Sequence, residues 1–198
     1  MKGFILANGH SGTTWAAKVL TDCTDLTARH ESWKHSIGKD FGGVESNGNL
    51  WNRGKELEAL FPGVPRIHLV RDGRKVVRTI MTRKPSSFFE AACRRWNGRN
   101  ERLFVEICNA NRFRLEDLVA PDGFRTFAAF AKRLGATKVN QEKWEEWRAI
   151  RVRPSKQIDL ARFPSYHDWT DDHKEIFQRV CGDMMKAMGY QSPRVSTR

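Results

Sequence analysis

The chain has 198 residues and a net charge of +12, from 35 Lys and Arg against 23 Asp and Glu. Its 39% hydrophobic and 29% charged residues exclude a disordered chain. No run approaches the roughly 18 apolar residues of a membrane-spanning helix. The length suits one domain over 1–198. The positive surplus attracts anions, but it is spread along the chain. A basic tail, the usual mark of a nucleic-acid partner, is missing.

Phe4–Ala7 reads as a buried strand, and Thr13 to Cys23 as the first helix. Leu26–Arg29 is the next strand candidate, followed by the polar stretch His30–His35. Residues 38–51, rich in Gly, Asn and Ser, read as a loop with freedom to move. A helix from Arg53 to Phe61 stops at Pro62-Gly63. Arg66–Val70 is a strand, and Arg74 to Arg83 a helix with Val76, Val77 and Ile80 on one face. Pro85 separates it from a long amphipathic helix, Ser86 to Ile107, whose apolar stripe is interrupted by Asn100. Arg112–Leu115 reads as a short strand, and Phe124–Leu134 as a helix closed by Gly135. Residues 138–168 are basic, Trp-rich and give no clear period. Thr170 caps a last helix that runs to about Met188, with Asp171 and Asp172 in its first turn.

Strands alternating with helices predict an α/β fold, a central parallel sheet flanked by helices. Ligands of such sheets bind beyond the carboxyl ends of the strands. The segments after Ala7, Arg29 and Val70 would all lie on that edge.

The cysteines Cys23, Cys93, Cys108 and Cys181 are widely spaced, with no CxxC and no zinc-type Cys/His cluster. They are expected to be free thiols in a reducing compartment. With no signal-like N-terminus, the expectation is a soluble cytoplasmic protein.

Between the first strand and helix lies Gly9-His10-Ser11-Gly12-Thr13-Thr14-Trp15. A small-residue loop of this kind turns successive N–H groups toward one point, with a helix N-terminus behind them. That makes an anion site, usually for a phosphate. It is not the GxxxxGK[ST] nucleotide loop, because Gly12 is followed by Thr13-Thr14 with no Lys. No acidic residue directly follows Val70, so no metal is expected. Arg71, directly after a strand, can clamp a phosphate with paired N–H donors. Thr79, eight residues on, offers a hydroxyl two helical turns away. Pairing of Arg71 with Asp72 or Glu116 is the other reading of that residue.

These residues carry a family resemblance. Ser11-Gly12-Thr13-Thr14-Trp15 resembles the 5′-phosphosulfate loop of sulfotransferases that use 3′-phosphoadenosine 5′-phosphosulfate (PAPS). Leu69-Val70-Arg71-Asp72-Gly73-Arg74-Lys75-Val76-Val77 resembles their 3′-phosphate segment, LVRDPRDVV, with Thr79 at the position of the family's serine. Leu115-Glu116-Asp117-Leu118 resembles their YEDL element, and the stretch from Trp169 to Gly189-Tyr190 their closing helix.

The resemblance implies a P-loop NTPase-like sulfotransferase fold. It implies transfer of a sulfuryl group from PAPS to a hydroxyl or amine, releasing adenosine 3′,5′-bisphosphate. Gly9 to Trp15 would hold the 5′ end, and Arg71 and Thr79 the 3′-phosphate. Arg151, Arg153 and Lys156 would add late basic contacts, or form only a solvated basic loop. Trp15 would face adenine or fill the core. A proton acceptor is expected after the second strand, with Glu31 first, then His30, and His35 as a competitor. In a regular strand end His30 and Glu31 point to opposite faces, so one alone would face the site.

Two departures stand out. His10 replaces the family's Lys or Arg, and a nearby polyanion is expected to favour its protonated form. Gly73 replaces Pro and is expected to loosen its turn. The acceptor is unidentified; the charge suggests an anionic one such as a glycan, with nucleic acid disfavoured. A small-molecule kinase and a non-catalytic polyanion-binding module are the alternatives.

Overall fold

The computed structural model describes residues 1–33, 37–84, 88–150 and 162–191. Five parallel strands form one sheet in the order β2-β3-β1-β4-β5. They are β1 (Gly3–Ala7), β2 (Ala28–His30), β3 (Val44–Asn47), β4 (Arg66–Val70) and β5 (Arg112–Arg114). Between them run α1 (Thr13–Cys23), α2 (Gly54–Leu60), α3 (Gly73–Arg83) and α4 (Phe89–Glu106). After β5 come the short α5 (Leu115–Leu118), α6 (Phe124–Arg133), α7 (Gln141–Ala149) and α8 (Asp171–Ala187).

The predicted loop at 38–51 contains β3, which lies between β1 and β2 and is buried throughout. Its sequence, Val44-Glu45-Ser46-Asn47, has one apolar residue and so no hydrophobic run to read. Its polar groups find partners inside the fold. The Glu45 carboxylate accepts from Ser32 Oγ, from the Trp33 backbone N–H at 3.4 Å and from Asn47 Nδ2 at 2.9 Å. Ser46 Oγ donates to the Thr13 carbonyl at 2.8 Å.

The period of two along β1 and β4 divides the core. Ile5, Ala7, Ile67 and Leu69 face one side, with α1, α6 and α7. Phe4 and Leu6 face the other, with Trp33, Leu57 and Leu103. Val70 joins α3, α4 and α8 there. Asn100, the polar break in the stripe of α4, is fully buried: its Oδ1 lies 2.9 Å from His68 Nε2, and its Nδ2 donates to the Trp96 carbonyl at 2.7 Å. The unassigned stretch contains α7, which buries Trp144 with its Nε1 donating to the Leu118 carbonyl at 3.1 Å.

β1 and β4 are neighbours in the sheet, yet the helices that follow them pack on opposite faces. A crevice therefore opens beyond their carboxyl ends, the usual ligand position in an open α/β sheet. No helix among the described residues is long and apolar enough to cross a membrane.

Candidate functional site

The loop from Asn8 to Gly12 lies at that crevice. Two of its residues have left-handed backbone, His10 at φ 72 and Gly12 at φ 92. This conformation favours glycine, and a side chain at Gly12 would also meet Leu115 Cδ2 at 2.7 Å. Gly12 is the N-cap of α1, and no side chain caps that end. Its first N–H groups are left for a ligand. Three buried side-chain atoms of the loop have no hydrogen-bond partner: Asn8 Nδ2, Asn8 Oδ1 and Ser11 Oγ. Buried polar atoms seldom lack partners in a native fold. Such atoms at a helix N-terminus fit a bound polar group.

β2 and β3 hold the loop from one side. His30 is the last residue of β2, one residue beyond the predicted strand. Its Nε2 lies 3.0 Å from Thr13 Oγ1 and 3.2 Å from Thr14 Oγ1. Glu31 follows with φ 50, its N–H donating to the Ser46 carbonyl at 3.1 Å. That kink corrects the expected alternation. It ends the strand pattern, so Glu31 Oε1 comes within 3.7 Å of His30 Nε2. The same oxygen is 3.7 Å from where a Cβ on Gly48 would stand, and that point is 3.3 Å from the Gly9 Cα. Both residues thus stand beside the loop. Buried Glu45 and core residue Trp33 fix the turn that carries Glu31.

β4 holds the other side. Arg71 leaves its end, and its Nη1 donates to the His10 carbonyl at 2.9 Å. The acidic residues nearby have other partners: Asp72 caps α3 and pairs with Arg74. Glu116 accepts from the Asp72 backbone N–H, Lys75 Nζ and Tyr190 Oη. Glu116 and Tyr190, from the two supporting motifs, thereby brace the turn after Arg71.

Gly73 does not loosen that turn. A Cβ there would stand 3.0 Å from ring atoms of the fully buried Trp96. Trp96 Nε1 in turn donates to the Arg71 carbonyl at 3.3 Å. Glycine is present because an indole occupies the space a side chain would need.

Other sequence candidates fall differently. The Thr79 hydroxyl donates to the Lys75 carbonyl at 2.8 Å, one turn back in its own helix. Trp15 is in the core, edge-on to Phe127, with Nε1 donating to the Trp147 carbonyl at 3.1 Å. His35, Arg151, Arg153 and Lys156 lie outside the described residues.

The charge at the loop does not come from His10. Burial first, and then Arg83, Arg95, Arg71 and Arg99, pull its pKa down to about 4. Without a counter-anion its imidazole is therefore neutral at pH 7. The positive field belongs to those four arginines. Three of them were not singled out in the sequence. Within α4, Arg94 and Arg102 pair with Glu90 and Glu106. Arg95 and Arg99, also four apart, face no such carboxylate in their own helix. Like charges at that spacing destabilise a helix slightly, a legible sign of another purpose. Among the described residues, no cluster of His, Cys, Asp and Glu could hold a metal ion.

The fold has a counterpart among solved structures. The chain is similar to a sulfotransferase domain from the curacin biosynthetic pathway, with a TM-score of 0.57. The likeness covers 96% of this chain and 98% of that one, at 13% sequence identity. The fold is sulfotransferase-like. No protein-family model and no curated protein matches the sequence. At such an identity the likeness speaks for the fold alone, and function is argued from the site.

Proposed function

We propose that the protein is a PAPS-dependent sulfotransferase acting on a hydroxyl, or an amine, of its acceptor. One observation carries this reading. The Arg71 guanidinium reaches the His10 carbonyl at 2.9 Å, while His30 and Glu31 stand on the loop's other flank. The meeting of an arginine, a small-residue loop and a carboxylate, without a nucleotide-loop lysine, supports the reading.

When bound, PAPS supplies the sulfuryl group and leaves as adenosine 3′,5′-bisphosphate. Backbone N–H groups of residues 12–15, Ser11 Oγ and the Thr13 and Thr14 hydroxyls hold the 5′ anion. The orphaned atoms of Asn8 and Ser11 fit that duty. Arg71 holds the 3′-phosphate; Thr79 joins it by turning its hydroxyl from Lys75. Fixing both ends orients the reacting centre for in-line attack. Glu31 accepts the acceptor's proton through its carboxylate. His30 positions the two threonines and Glu31. An acceptor that carries anionic groups of its own suits a site rich in arginine.

The test is thermal stabilisation by adenosine 3′,5′-bisphosphate, compared with AMP and with ATP and Mg²⁺. A ligand that prefers the native state raises the melting temperature. A larger shift with the bisphosphate is expected. Equal shifts with AMP would refute the assignment, and preference for ATP and Mg²⁺ would point to a kinase.

A further inference from the structure

We propose that Arg99, delivered by α4 from outside the loop, supplies a cationic contact to the 5′ anion. The inference rests on the reading above and adds a residue to its site.

Arg99 Nη1 is buried and has no hydrogen-bond partner. It stands 3.8 Å from where a Cβ on Gly9 would be, so it abuts the loop at its one residue without a side chain on that flank. The guanidinium lies over the Trp51 ring, 5.0 Å from its centroid. The next residue, Asn100, is tied to His68 of β4 and to the Trp96 carbonyl. The side chain is thus held between a ring below and an anchored helix turn behind. Arg83 and Arg95 are exposed and belong to the surrounding field.

An unpaired, part-buried guanidinium is costly to keep. Burial and Arg95 draw the Arg99 pKa down to about 10, the direction expected of a cation awaiting a counter-charge. An anion in the loop relieves that cost. The backbone donors supply neutral hydrogen bonds only. As the sulfuryl group departs, its bond to the phosphate oxygen breaks, and that oxygen keeps the electron pair. A fixed cation stabilises the growing charge better than dipoles alone.

The experiment is calorimetric titration of the full chain with adenosine 3′,5′-bisphosphate and with adenosine 3′-monophosphate, which lacks the 5′ anion. Arg99→Met keeps an aliphatic stem over Trp51 and removes the charge. It is expected to weaken the bisphosphate by about 10- to 100-fold, the range for a lost charge-assisted hydrogen bond. Affinity for the monophosphate should hold within about twofold. His10→Lys in the Arg99→Met background should recover most of the loss, and Arg99→Lys alone should lose less. The melting temperature of unliganded Arg99→Met should equal or exceed that of the parent, since an unpaired cation is gone; a purely structural arginine would lower it.

An unchanged bisphosphate affinity, an equal loss with both nucleotides, or failure of His10→Lys to rescue overturns the proposal. The first of these, with a parent that still prefers the bisphosphate, leaves the sulfotransferase reading standing and removes Arg99 from the 5′ contact. A parent with no preference for the bisphosphate defeats the broader reading instead.

Discussion

Acid should release the anchor between β4 and α4, and its size follows from one histidine. His68 is fully buried. Asn100 Nδ2 donates to the Trp96 carbonyl, so its Oδ1 is free to accept, and His68 Nε2 carries the proton between them. The second ring nitrogen, Nδ1, is buried without a partner. Protonating it would bury a charged N–H that has no acceptor. Burial, opposed only in part by the Asn100 bond and reinforced by Arg112, therefore lowers the pKa from 6.5 to about 4. The unfolded chain takes up this proton near 6.5, and the folded chain resists until about 4. The stabilising contribution is whole above 6.5 and is lost as pH falls through that window. At roughly 1.4 kcal/mol per pH unit, the loss is about 2.5 kcal/mol by pH 4.5. That is a large share of the roughly 5–15 kcal/mol typical of a domain. His10, lowered in the same direction, adds to the slope. Urea unfolding at pH 7.5 and 4.5 measures the total. The double variant His68→Leu/Asn100→Leu removes both partners, leaves His10 in place and should flatten the curve by about 2.5 kcal/mol. Parallel curves for parent and double variant would refute this account of His68. Because Asn100 adjoins Arg99 and β4 ends at Arg71, the same acid step should weaken binding of the bisphosphate.

Other outcomes follow from the site. Glu31→Gln should lower sulfuryl transfer by about 100- to 10,000-fold while leaving bisphosphate affinity nearly unchanged; parent-like turnover in steady-state assays would remove Glu31 from the proton transfer. Arg71→Ala should abolish the preference for a 3′-phosphate, read as equal melting shifts with the bisphosphate and AMP, and it should loosen the loop by releasing the His10 carbonyl. Gly73→Ala drives a methyl group toward the buried Trp96 ring and should cost about 1–3 kcal/mol in urea unfolding, with weaker 3′-phosphate binding because Trp96 also holds the Arg71 carbonyl. A neutral effect of Gly73→Ala would show that the turn has slack.

Much of the frame was legible because it is local. The apolar run at Phe4–Ala7, the alternation at Arg66–Val70, the glycine loop and the Thr170 cap are read over a few residues, where sterics and hydrogen-bonding needs act directly. The α/β class and the shared edge of three segments followed from that alternation. β3 was missed because its stability comes from partners distant in sequence: Ser32 and Trp33 satisfy Glu45, and Thr13 satisfies Ser46. A polar strand of this kind has no signature of its own.

The sequence by itself determined that a small-residue loop opens the first helix, that an arginine follows β4 and that no nucleotide-loop lysine is present, since these are matters of residue identity and spacing. Tertiary structure alone decided what surrounds them. A positive φ at Glu31 put it beside His30. Packing against Trp96 turned Gly73 from a loose turn into a tight one. Burial among arginines drew the His10 pKa down, and helix α4 brought Arg99 to Gly9 from ninety residues away. Charge and protonation depend on distance and on exclusion of water, and the folded chain sets both.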